Sequence, residues 1–93
     1  MNSIQLKSNK ELLDYLLALA DELKQLNENS AANELLHASR FYNGSPSEFL
    51  HEAHSALINV AAVCKRKSYE IQLTNIEAVI KQIDFAFKQI GGA

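Results

Sequence analysis

The residues best equipped for chemistry are three histidines and the acids near them: His37, and the run Leu50-His51-Glu52-Ala53-His54. Histidines four apart in the pattern H-E-x-x-H project together onto one metal ion, with the glutamate beside it as a base. Here His51 and His54 stand three apart and position 55 is a serine, so that pattern is not met. Two histidines alone leave a metal's coordination incomplete. Glu34-Leu35-Leu36-His37 and Glu48-Phe49-Leu50-His51 both read E-x-x-H, the spacing from which di-metal carboxylate sites are built inside helical bundles. Such a site would draw on Glu34, His37, Glu48 and His51, with His54 close by and further carboxylates from Glu22, Glu70 or Glu77. The helical wheel opposes it. With Leu35 and Leu57 pointing inward, His37 points outward and Glu48 is turned almost opposite the core. The expectation is therefore no metal and no cofactor, with these residues on a solvated face.

His54 falls at the edge of the inward face of its helix. A reactive histidine on a four-helix bundle is similar to the arrangement in histidine phosphotransfer domains, whose motif has the form H-x-L-K-G. His54 is followed by Ser55, Ala56, Leu57 and Ile58, without the lysine that assists the phosphoryl group or the glycine that leaves it space. A likeness of architecture does not license the function, and a half-buried, hydrogen-bonded histidine is the simpler expectation. Cys64 lies on an apolar stripe and reads as a small buried hydrophobe. There is no Gly-rich phosphate loop, no G-x-S-x-G elbow and no C-x-x-C. The chain reads as a protein that is not an enzyme.

Whatever these residues do, helices must position them. Ser8 followed by Glu11 forms a capping-box pattern ahead of Leu12, Leu16, Leu19, Leu23 and Leu26, which recur at steps of four and three. Asn27, Asn29 and Ser30 offer caps for a second helix, whose face carries Ala31, Ala32, Leu35, Ala38, Ser39 and Tyr42. Asn43-Gly44 ends it, with Gly44 suited to a left-handed position. Ser45-Pro46-Ser47-Glu48 then starts a third helix, with proline at its first turn. That helix presents Leu50, Ala53, Leu57, Val60, Ala61 and Cys64. Lys65, Arg66 and Lys67 sit where a helix C-terminus favours positive charge. Ser68 caps a fourth helix with the seam Tyr69, Leu73, Ile76, Ile80, Ile83, Phe87 and Ile90. The pattern predicts an all-α, antiparallel up-down-up-down four-helix bundle with helices at about 9–27, 30–42, 46–65 and 69–90. It forms one domain over 1–93, with residues 1–7 as a short extension and 91–93 as a tail.

No Gly or Pro falls between Ser47 and Ile90, so the third and fourth helices could run on as one rod. The change of apolar phase at Lys65–Ser68 favours a break. Three residues fit no seam: Ile71, Ala78 and Phe85 line the back of the fourth helix, a patch available for self-association.

Composition bounds the rest. The chain has 93 residues, 47% of them apolar, and a net charge of −2. That is enough apolar content for a packed core and too little positive charge for a nucleic-acid binder. One cysteine permits no internal disulfide, no stretch approaches a membrane span, and the first ten residues lack the pattern of a signal peptide. The expectation is a small soluble cytoplasmic protein, without nucleic-acid or membrane partners. It would present helix surfaces to a protein partner or to a second copy of itself, with Ile71, Ala78 and Phe85 as the contact residues.

Overall fold

Helix starts and stops follow local chemistry closely. The computed structural model describes residues 6–91, with side chains described through Gln89. Its elements are α1 (Asn9–Gln25), α2 (Asn29–Ser39), a 3-10 turn (Arg40–Asn43), α3 (Pro46–Lys67) and α4 (Glu70–Gly91). Ser8 Oγ accepts from the Glu11 amide at 3.2 Å, while the Glu11 carboxylate reaches one residue past the cap and accepts from Lys7 N–H at 2.8 Å. Ser45 Oγ accepts from the Glu48 amide at 3.4 Å, with Pro46 in the first turn. Side-chain oxygens thereby satisfy amides that have no partner inside the helix.

The other junctions differ from the sequence expectation. The N-cap position of α2 is Glu28, and its side chain does not cap. Instead α1 closes in a Schellman turn: Asn27 adopts φ 64° and Glu28 N–H donates to Leu23 O at 2.8 Å. Ser68 likewise works through its backbone, at φ 60°, with Tyr69 N–H donating to Cys64 O at 2.9 Å. That left-handed residue turns the chain, so α3 and α4 are separate helices and not one rod. Gly44, expected to be left-handed, has φ −94°. The end of α2 tightens into the 3-10 turn, so the chain reaches Pro46 without a left-handed residue.

Cross-helix pairs fix the topology. Gln72 of α4 donates to Glu22 near the end of α1, and Leu6 N–H just ahead of α1 donates to Gln82 late in α4. Asn59 of α3 donates to Glu34 of α2, and His54 early in α3 meets Asp84 late in α4. Neighbouring helices therefore run in opposite directions, the arrangement of an up-down-up-down bundle. Leu6 also packs against the core, so the N-terminal extension is tied to the bundle by its sixth residue. Gly91 is still helical. Residues 1–5 and 92–93, and the side chain of Ile90 from the expected seam, lie outside the described residues.

The core holds Leu12, Leu16, Leu19, Ala20 and Leu23 of α1, and Ala31, Ala32, Leu35 and Ala38 of α2. The buried set of α3 runs from Phe49 to Cys64, and α4 adds Ile76, Val79 and Ile83. Phe49 is the largest fully buried side chain and meets Tyr42 edge-on, ring centroids 5.5 Å apart. Neither Phe49 nor Val79 lay on an expected stripe. Leu26 and Ile80, which did, are respectively exposed and half-buried.

Candidate functional site

The histidines do not converge. Glu34 and His37 line an open groove between α2 and α3, together with Asn33, Glu52, Ser55 and Asn59. There the Glu34 carboxylate accepts from Asn59 Nδ2 at 3.0 Å, and the exposed His37 ring stands edge-on to Phe41. Glu48 is exposed at the start of α3, with its carboxylate turned back toward Gly44. His51 looks the other way, its ring centroid 6.3 Å from that of Phe87 on α4. The two E-x-x-H pairs thus sit on different faces of the bundle, because α3 buries Ala53, Leu57 and Val60 between them. Among the described residues no group of three His, Cys, Asp or Glu is placed to hold a metal ion.

His54 pairs with an acid on the neighbouring helix. Its Nε2 lies 2.9 Å from Asp84 Oδ1, and its ring is tilted against that of Phe87, 5.9 Å between centroids. The pair bridges α3 and α4 at the surface. A phosphoryl group arriving at Nε2 would meet a carboxylate instead of a lysine, and like charges there oppose transfer. The geometry makes His54 a cross-helix tie.

A second polar knot holds the opposite end. Glu28 Oε2 accepts from Tyr69 Oη at 2.9 Å and pairs with Lys67 Nζ at 2.9 Å. The Lys67 hydrogen bond and then the Tyr69 one hold the Glu28 carboxyl below its ordinary pKa, and the same bonds raise Lys67 and Tyr69 above theirs. The sequence offered Glu28 only as a loop residue between candidate caps. Its three-way contact joins residues 41 positions apart, so no local pattern announces it. Cys64 is fully buried, and burial raises its thiol pKa. That favours the unreactive protonated form. The buried Tyr15 hydroxyl has no hydrogen-bond partner among the described residues, and burial raises its pKa as well.

The surface patch is of another kind. Ile71 is 76% exposed and Phe85 64% exposed, with Ala78 half-buried between them. The other exposed large apolar residues, Leu17 and Leu26 on or just after α1 and Ile58 on α3, share no line with each other. At about 1.5 Å per residue, Ile71 and Phe85 stand roughly 21 Å apart along α4. Phe41, in the 3-10 turn, is half-buried against the core.

Fold and site together define a small all-helical bundle, and among its described residues no helix is long and apolar enough to cross a membrane. No family model, curated protein or solved structure matches the chain.

Proposed function

We propose that this chain is a non-enzymatic interaction module whose working surface is the back of α4, and that it acts in the cytoplasm. The supporting observation is the exposure of Ile71 and Phe85 on one helical line. Large apolar side chains left in water cost free energy that covering them recovers. The polar groups of His54–Asp84 and Glu28–Lys67–Tyr69 join helices to each other. A metal-binding or phosphotransfer role for the histidines finds no such support.

The test is to place a photo-crosslinking side chain at position 85 in cells, with position 33 on the α2–α3 side as control. A discrete protein adduct at 85 and none at 33 is expected. Equal or no labelling at the two positions would remove the reading.

A further inference from the structure

The two turns at one end of the bundle share an uncommon backbone conformation and a single side chain. Among the described residues, Asn27 and Ser68 are the non-glycine residues at positive φ, 64° and 60°. Asn27 lies between α1 and α2, and Ser68 between α3 and α4. A left-handed backbone crowds the Cβ of any residue but glycine, so each turn must be held closed by its surroundings. Glu28 stands beside both. Its amide donates to Leu23 O at 2.8 Å and closes the first turn. Its carboxylate spans the second, with Lys67 Nζ and Tyr69 Oη each 2.9 Å from Oε2, one on either side of Ser68. The Glu28 side chain is only 15% exposed. Beneath the turn lies Cys64, fully buried, whose carbonyl accepts from Tyr69 N–H at 2.9 Å.

We infer that Glu28 is an acid-sensitive latch: protonating its carboxyl opens the α3–α4 turn while the body of the bundle stays folded. The groups that face it are Lys67, Arg66 and Cys64 of α3 and Tyr69 just ahead of α4, and α1 meets it with a backbone carbonyl. Ionised, Glu28 attracts Lys67 and is a strong acceptor for the Tyr69 hydroxyl. Neutral, it loses that attraction, and Lys67 is left to the repulsion of Arg66. The Lys67 hydrogen bond, and then the Tyr69 one, hold the carboxyl below its ordinary value of 4.5. The latch is therefore shut above that value and released as pH falls through the lowered one. The core is joined by apolar contacts, which do not titrate. Opening accordingly stays at this end: Ser68 leaves its left-handed conformation, the last turn of α3 frays, and Cys64 meets solvent.

Cys64 is the chain's one cysteine and reports the opening. The full chain is labelled with dithiodipyridine from about pH 6 down to about pH 3, a span that brackets the titration of Glu28. Each rate is divided by that of the urea-unfolded chain at the same pH, which cancels the pH dependence of the thiol itself. The normalised rate is expected to rise about tenfold in acid, ahead of any change in far-UV circular dichroism. Glu28→Gln should label about tenfold faster than the native chain already at neutral pH, without a further rise in acid. Tyr69→Phe, which keeps Lys67, should label about threefold faster and retain the acid rise. Asn59→Ala unties Glu34 between α2 and α3 and should leave the rate unchanged.

Labelling that begins only with the loss of helical signal would overturn the inference, because global unfolding would then be what releases Cys64. An acid rise that persists in Glu28→Gln, or a Glu28→Gln chain as protected at neutral pH as the native one, would overturn it too. Should Glu28→Gln fail to fold, the native titration decides: a rise ahead of the helical signal supports the latch, and coincidence of the two overturns it. The readout needs no partner, so the latch stands or falls whether or not α4 is a docking face.

Discussion

Helices α3 and α4 are a matched pair with different fates. Each is 22 residues long and each carries eleven apolar residues. Seven side chains of α3 are buried: Phe49, Leu50, Ala53, Ala56, Leu57, Val60 and Cys64. Among the described side chains of α4 only Ile76, Val79 and Ile83 are, while Ile71 and Phe85 stand in solvent. The cause is position, since α3 packs closely against both α2 and α4, whereas the backbone of α4 approaches α3 closely and the other helices much less. A helix with neighbours on two sides can bury a broad face, and one at the edge can bury only a stripe. The apolar content of α4 therefore exceeds what its place in the monomer can use, and its surplus is the candidate interface.

Core truncations should separate the two helices most sharply. Phe49→Ala is expected to cost about 3–5 kcal/mol in urea unfolding, because a fully buried ring is lost and a cavity left. Ile76→Ala, with one stripe of α4 around it, should cost about 2–4 kcal/mol. Equal losses would mean that α4 is held as broadly as α3. Tyr15→Phe should go the other way and stabilise by about 1 kcal/mol, since it removes a buried hydroxyl with no hydrogen-bond partner among the described residues.

The α3–α4 junction should show itself as pH dependence of the thermal midpoint. Cys64 and Tyr69 have folded pKa values raised above their ordinary 9.0 and 10.0. Their contribution is complete below those values and lost as pH rises through the raised ones. Glu28 is lowered from 4.5, so its contribution is present above that value and lost as pH falls through the lowered one. A plateau from about pH 5 to 9 is expected, falling on both sides, and Glu28→Gln should flatten the acid limb. The smallest effect belongs to the surplus itself. Ile71→Gln should change stability by no more than about 0.5 kcal/mol in urea unfolding.

The histidine residues mark the limit of local reading. The wheel correctly turned His37 and Glu48 away from the core, since both judgements needed only a helix and its inward leucines. It could not supply Asp84 as the partner of His54, thirty residues away. For the same reason Val79 was missed. The strict four-three seam of α4 points about 40° away from the face that is buried, because the groove offered by its neighbours, not its own periodicity, sets its rotation. Phe49 escaped as well, since a broad buried face on α3 requires neighbours that no single helix announces.

By itself the sequence determined the four helices and most of their ends. Caps, the Pro46 turn and 3.6-residue periodicity act within a few residues, where the chain carries its own instructions. Tertiary structure alone decided that α3 lies inside and α4 at the edge, that Glu28 ties down the turn at Ser68, and that the two E-x-x-H pairs face apart. Each of those depends on which helix lies beside which, and burial is a property of neighbours. The line of Ile71, Ala78 and Phe85 belongs to both accounts: its spacing is written in the chain, and its exposure comes from the place the fold gives α4.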